Sequence, residues 1–448
     1  MSEREKFGRF GALMVMAGSA VGLGNIWRFP YLLGENGGAV FLLVYIVFAI
    51  IIALPIFFCE FIIGRRGASN CCASFGNLVH DGKWKGVGFF GIITAFIIMS
   101  YYSVIGGWSV EYLFKSCTFE FSSTDSPQKL SHVFNNFVSS TWAPLLGHLL
   151  FLGCACIIVS KGVKGGIEKF GKLAMPALFF IVMGIAVYVA FLPESSQGYK
   201  YLFHPDFSKF SPKMCLSALG QGFYSLSLGC CAIVTYASYI RRSDDMFKHC
   251  SETAAIDLLF AVIAGCAIMP AVFAFGVNPG SGPSLVYETL PFIFSKMPGG
   301  NVVAICFFAG LLVAAITSEI SMIEIVVTYL VEERKKSRKK SVLLIFCIAF
   351  FLGVICSLSF GPLSGLTLMS KNIFGLFDTF ASNYLMPIGA LLISFFVGWK
   401  MPRDDVYDEF TNGGSVIRNV HIFKVIYPLI RYVVPAGIIA IMVSNFVF

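Results

Sequence analysis

Five carboxylates stand inside apolar stretches of this 448-residue chain: Glu60, Asp257, Glu319, Glu324 and Asp378. Each is costly in hydrocarbon, so each should face a partner or a cavity rather than lipid. Asp257 is the most informative, because it sits near the start of its stretch with no basic residue close in sequence. Either a bound cation balances it or the carboxyl stays protonated. Two glycine-rich runs point to the same chemistry. The first, Ala17-Gly18-Ser19-Ala20-Val21-Gly22-Leu23-Gly24-Asn25-Ile26-Trp27-Arg28-Phe29-Pro30, holds three glycines within seven residues. Each weakens a helix by about 1 kcal/mol relative to Ala. The second, Gln221-Gly222-Phe223-Tyr224-Ser225-Leu226-Ser227-Leu228-Gly229-Cys230-Cys231, mixes glycine with small hydroxyl residues. Such runs either let helices pack closely or unwind. Unwound chain frees carbonyls for a hard cation and offers amides and a positive dipole end to an anion. The chemistry on offer is binding of an alkali ion beside a carboxylate. Covalent catalysis has no support, since no Cys, His or carboxylate pair has metal or nucleophile spacing.

The elements that carry these residues are membrane spans. The chain is 57% hydrophobic and only 13% charged, too few charges to clothe a soluble protein of this length. Its apolar blocks reach the roughly 18 or more residues needed to cross hydrocarbon as helix. Spans are expected near 10–33, 38–63, 86–114, 143–160, 169–191, 214–239, 252–277, 300–330, 341–358, 373–398 and 423–447, eleven in all. With the N-terminus inside, cytoplasmic segments hold 21 Lys and Arg and external ones 7; Lys169, Lys172 and Lys424 sit at the cytoplasmic ends of spans, while Arg28 and Arg431 lie deeper within spans. This asymmetry obeys the positive-inside rule, places the C-terminus outside and makes the chain a multi-pass protein of the cell (plasma) membrane. The richest run, Arg334 to Lys340, could also attract anionic lipid or nucleic acid, but topology already accounts for it, and no nucleic-acid partner is expected. No cleavable signal peptide is read at the start. The fourteen cysteines contain no CxxC pair, so neither a disulfide framework nor a metal-thiolate site is expected.

The two interrupted segments are the first and sixth spans, matching members of two five-span halves. Paired interruptions at corresponding positions are the sequence pointer to an inverted-repeat transporter. The expected fold is therefore an all-α membrane protein with a five-plus-five inverted repeat. It forms one transporter domain over 1–448, with a first repeat at 1–191, a second at 212–398 and an additional helix at 423–447.

At these residues a resemblance becomes specific. The run Gly18 to Pro30, followed by Glu35-Asn36-Gly37-Gly38, resembles the first-span signature of the neurotransmitter:sodium symporters. The resemblance extends through Tyr101-Tyr102, Ser225 to Gly229, Thr235 to Tyr239 and Thr317-Ser318, nearly the whole chain. It implies a sodium-driven symporter that carries an amino acid inward by alternating access, with sodium ions, two in number, as its only cofactors. The bilayer and the substrate are the implied partners; oligomeric state is not legible.

The resemblance implies roles residue by residue. The first sodium meets Ala20, Asn25 and Ser225, and Asp257 stands where most relatives have Asn. The second meets Gly18, Val21, Ala314, Thr317 and Ser318, oxygen ligands that suit a hard cation. Chloride-dependent relatives hold an anion near positions matched by Tyr45, Gln221 and Ser225, so a fixed carboxylate at Asp257 implies transport without chloride. Substrate should contact Ala20, Gly22, Leu23, Gly24, Ile98, Tyr102, Tyr224, Ser225, Ser227, Cys230, Ser318 and Met322. Gly22 stands where monoamine carriers place an aspartate, which favours an amino acid over an amine. Cys230 stands where some relatives have Phe, leaving room for a bulky hydrophobic or aromatic side chain. Arg28 and Asp378 resemble an external gate, Arg4 and Glu332 an internal one, and Glu60 resembles the acceptor for the loosened backbone of span six. Glu319 and Glu324 receive no role. A non-transporting amino-acid sensor on the same scaffold is the rival reading, against which the short cytoplasmic loops and missing signalling domain weigh.

Overall fold

In hydrocarbon every backbone N–H and C=O must be bonded within the protein, and a helix does this within one segment. The computed structural model describes residues 5–79, 81–123, 127–280 and 285–447, and these are predominantly helical. Among the described residues, nine continuous helices are long and apolar enough to cross a membrane: Ala39–Gly67, Gly82–Cys117, Trp142–Ser160, Val163–Ala190, Met246–Ala274, Gly300–Glu332, Arg338–Leu358, Ile373–Lys400 and Ile417–Ala440. A tenth crossing is the pair Arg9–Ala20 and Gly24–Glu35, bent by 46° at its break. The remaining expected span is also interrupted, as Pro212–Ser225 and Ala232–Ala237. Its pieces, 14 and 6 residues, are each too short to span the roughly 30 Å hydrocarbon layer alone.

The outer surface confirms the solvent this fold is built for. Leu173, Phe180 and Phe351 project outward and are largely exposed, as lipid-facing side chains are. Inside, small residues set the spacing. Gly107 and Gly147 back directly onto each other, so that a Cβ on either would meet the other's helix. Van der Waals packing at such close approach is what holds membrane helices together. Prolines are accommodated by widened turns: Ala49–Ala53 precedes Pro55, and Ala381–Leu385 precedes Pro387. A proline lacks the N–H and crowds the carbonyl four residues earlier, and a π turn there relieves both.

Several features lie outside the expected span boundaries. Short helices Cys71–Val79, Ser195–Phe203, Thr289–Lys296 and Arg403–Thr411 occupy segments read from sequence only as connections. The seventh span begins at Met246, where the Asp245 side chain accepts from the Lys248 amide at 3.2 Å. Asp257 is therefore eleven residues past the start of its helix and near the middle of its length, farther in than the expected start at 252 placed it. At the end of the bundle that bears the N-terminus, Arg65 is buried in an ion pair with Glu409. Its guanidinium also donates to the carbonyls of Asp244 at 2.6 Å and Glu409 at 2.8 Å.

Candidate functional site

The two breaks are built by different devices and meet at one place. In span 1 the helix ends at Ala20, and Val21 turns extended with φ −77° and ψ 102°. The amides beyond it are taken by side chains: Gly22 N donates to Asn25 Oδ1 and Leu23 N to the Tyr102 hydroxyl, both at 3.2 Å. Carbonyls released from the ladder also find partners. Ser227 Oγ donates to Ser19 O at 3.0 Å, Ser318 Oγ to Gly18 O at 3.4 Å, and Gln221 Nε2 to Gly24 O at 2.8 Å.

In span 6 the chain leaves the helix after Ser225, and Ser227, Gly229 and Cys231 all take left-handed backbone conformations. Alternation of that kind cannot continue an α-helix. Gly229 has φ +84° and lies against the Met386 carbonyl, where a side chain has no room. Its amide donates to Glu60 Oε1 at 2.7 Å, so span 2 supports the unwound turn. Glu60→Ala should lower stability by about 1–3 kcal/mol, because the Gly229 amide would stay buried without an acceptor. The thermal midpoint of purified protein checks this; a loss no greater than that of the lipid-facing Phe180→Ala would remove the carboxylate from this role.

Between the breaks lies Asp257, 2% exposed. Its Oδ1 accepts from Asn25 Nδ2 and from Ser225 Oγ, both at 2.8 Å, and the Tyr45 hydroxyl donates to Oδ2 at 3.4 Å. Asn25 Nδ2 also donates to the Asp257 carbonyl at 3.1 Å. All of these donors are neutral, and no basic side chain lies within 4.0 Å among the described residues. Carboxylate, amide and hydroxyl groups, each carrying an oxygen, are thus joined across the two breaks. Such an all-oxygen set fits a hard monovalent cation. The second candidate group is looser. Thr317 Oγ1 donates to Ala314 O at 2.9 Å, and Thr317 faces Gly18 across the span 1 to span 8 contact. Ser318 joins it through Gly18, while Val21 stands one turn on at the break.

A small cavity of about 30 Å³ opens next to these groups. Ten residues expected at a substrate site line it: Ala20, Gly22, Gly24, Ile98, Tyr102, Tyr224, Ser227, Cys230, Ser318 and Met322. Leu23 and Ser225 stand behind the wall, Leu23 held by Tyr102 and Ser225 by Asp257. Ser19 and Met386 line the cavity and were not foreseen. Met386 comes from span 10, and no local sequence signal marks it.

The gates differ from expectation in detail. No ion pair within 4.0 Å joins Arg28 to Asp378. The Arg28 guanidinium instead lies over the Tyr224 ring, 4.4 Å from its centroid, and Asp378 accepts from Ser382 Oγ at 3.2 Å. A cation packed on an aromatic face keeps its charge stabilised without a carboxylate partner. Arg28 and Ser382 both border an outer vestibule, so the pair frames the entrance with its two members apart. At the opposite end Glu332 accepts from the Asn70 amide at 2.7 Å and from Ser69 Oγ at 3.3 Å. Arg4 lies outside the described residues. The neighbouring chain is clamped to the end of span 6: Phe7 N donates to Tyr239 O at 3.0 Å, and Lys6 Nζ to Ser238 O at 2.9 Å. Glu324, unassigned from sequence, is ion-paired with Arg338 and accepts from the Tyr239 hydroxyl at 2.8 Å. Glu319 is fully buried, and neither of its oxygens has a hydrogen-bond partner among the described residues.

Known proteins are similar to this chain along its whole length. The model of the sodium:neurotransmitter symporter family matches residues 4–137 and 128–448. The sodium-dependent transporter YhdH of Bacillus subtilis (strain 168) is 35% identical over 436 residues, 97% of this chain and 96% of its own length. A sodium-dependent transporter of Haemophilus influenzae is 34% identical over 443 residues, with 97% and 96% covered. The human sodium- and chloride-dependent taurine transporter is 26% identical, over 91% of this chain and 73% of its own. The crystal structure of MhsT in complex with L-phenylalanine superposes with a TM-score of 0.91 at 38% identity, covering 99% of this chain and all of that one. These relatives are transporters, not enzymes, and the fold of MhsT follows the same course from end to end. The chain, with its two broken spans and the cavity between them, belongs to the sodium:neurotransmitter symporter family.

Proposed function

We propose that this protein is a sodium-coupled, chloride-independent symporter for neutral amino acids with bulky hydrophobic or aromatic side chains. One observation carries the reading: a buried aspartate, bonded to both broken spans through Asn25 and Ser225, stands beside a largely apolar cavity. The substrate carboxylate meets the first sodium, the amides near Leu23 and Gly24, and the Tyr102 hydroxyl. Asp257 supplies the negative charge for which chloride serves in relatives such as the human taurine transporter, which is sodium- and chloride-dependent. The solved relative that holds L-phenylalanine supports an amino acid of the proposed size.

Coupling follows from mutual stabilisation. Sodium organises Ala20, Asn25, Ser225 and Asp257, and the substrate carboxylate completes the shell, so each ligand tightens the other's binding. A second sodium lies with Gly18, Val21, Ala314, Thr317 and Ser318. Two sodium ions moving inward with a zwitterion carry two charges, worth about 4.6 kcal/mol per 100 mV. That supports accumulation over roughly three decades at about 1.4 kcal/mol each. One transporter domain spans the plasma membrane with its N-terminus cytoplasmic and C-terminus external. Arg28 and Asp378 close toward each other over the loaded site, while Glu332 serves the inner closure with Arg4.

Uptake into proteoliposomes tests this, with sodium and chloride varied separately and a panel of labelled amino acids. Concentrative uptake of Phe, Leu, Tyr or Trp should require inside-directed sodium and proceed unchanged in gluconate. Loss of uptake without chloride, or a clear preference for Gly and Ala, would overturn the respective half of the proposal.

A further inference from the structure

Span 10 supplies one wall of the cavity, and its residues fall in a pattern. Asp378, Ser382 and Met386 are four apart in sequence, so they follow one face of a helix. Asp378 bonds Ser382, Ser382 borders the outer vestibule, and Met386 reaches the cavity itself. The backbone around Met386 is pressed against the unwound turn of span 6. A Cβ on Gly229 would meet the Met386 carbonyl, and one on Gly389 would meet the Gly229 carbonyl. Two glycines thus permit a backbone contact at Gly229, the residue before Cys230, and Cys230 and Met386 line the same cavity. Met386 is 2% exposed, so its side chain is committed to the interior.

We infer that Met386 is a specificity-determining residue, setting the upper size of the substrate side chain in the space that the short Cys230 leaves open. This rests on the amino-acid reading proposed above. Met322 from span 8 and Met386 from span 10 line the same cavity with Cys230, giving it three sulfur-bearing walls. An unbranched thioether has three rotatable bonds and repacks around ligands of different shape, and sulfur at the edge of an aromatic ring is favourable. A wall of this kind accepts Leu and Phe alike, and yields to Trp only as far as the Met386 side chain can fold away. β-Branched or aromatic residues at 386 would have no such latitude.

The experiment is competition binding on the purified full-length protein in sodium, with Ala, Leu, Phe and Trp as competitors, for wild type, Met386→Ala, Met386→Phe and Met386→Leu. The readout is the ratio of Trp to Leu affinity, which a merely structural role would not move. Met386→Ala should shift that ratio about tenfold toward Trp, Met386→Phe about tenfold toward Leu and Ala, and Met386→Leu should keep the wild-type order. Adding Cys230→Phe to Met386→Ala should return the ratio toward wild type, because the two side chains bound one space. Variants that weaken all four competitors equally would overturn the inference and reduce Met386 to a prop for Gly229. Wild type that binds none of the four would overturn the amino-acid reading itself.

Discussion

Gly22→Asp should abolish amino-acid uptake, with a fall of at least about a hundredfold in kcat/KM. Two effects act together. A Cβ at this position would collide with the Ser318 hydroxyl and come within 3.1 Å of the Tyr102 hydroxyl, both of which face the cavity. A carboxylate there would also stand where the substrate's own carboxylate is proposed to bind. Two like charges about 4 Å apart at an effective dielectric near 20 repel by roughly 4 kcal/mol, which exceeds the free energy of a hundredfold change. The contributions separate in a second background. Gly22→Ala with Ser318→Ala relieves the collision and should regain part of the uptake, whereas Gly22→Asp with Ser318→Ala should not. Retention of uptake by Gly22→Asp within tenfold of wild type would place the substrate carboxylate elsewhere.

Asp257→Asn should raise the sodium concentration needed for half-maximal substrate binding by about a hundredfold and make binding respond to chloride. The substitution nearly conserves shape. Its carbonyl can still accept from Asn25 and Ser225, which now donate to Oδ1 at 2.8 Å, so the join between the broken spans is preserved. What is lost is the charge, and with it up to roughly 4 kcal/mol of attraction for a cation about 4 Å away at an effective dielectric near 20. The retained amide dipole offsets part of that. The hydroxyls of Tyr45 and Ser225 and the side-chain amide nitrogen of Gln221 remain as hydrogen-bond donors for an anion. Chloride entering there would restore the missing negative charge. Sodium titrations in chloride and in gluconate check both effects. An unchanged sodium requirement would mean that Asp257 is a neutral carboxyl holding the bundle together, and the coupling scheme would lose its anion.

Both expectations draw on residues that the sequence exposes. Glycine at 18, 22 and 24 and again at 222 and 229 lowers helix propensity inside apolar stretches, where unwinding has a visible local cause. Asp257 is equally visible, because a carboxylate in hydrocarbon contradicts its surroundings. Its depth was misjudged, since the hydropathy boundary near 252 does not register the polar first turn that starts at Met246. Glu60 could be assigned only through the family resemblance, yet the 2.7 Å bond to Gly229 has a plain physical reason in the unwound amide it satisfies.

Other residues carried no such mark. Arg28 was expected to look toward Asp378 and lies instead on the ring of Tyr224. Glu324 had no role until span 9 brought Arg338 to it and span 6 brought Tyr239. Arg65 and Glu409 are 344 positions apart, and nothing near either one announces the pair. Met386 reads as one more apolar residue in an apolar helix.

Membrane location, the interrupted first and sixth spans and the anomaly of a carboxylate at Asp257 were determined by sequence alone, because hydropathy, helix propensity and the cost of buried charge act within a few residues. Which side chains share the cavity, which charges pair and what sits on Tyr224 were decided only by the tertiary structure. Those contacts join helices far apart along the chain, and close packing selects them through the shapes of all the surfaces at once.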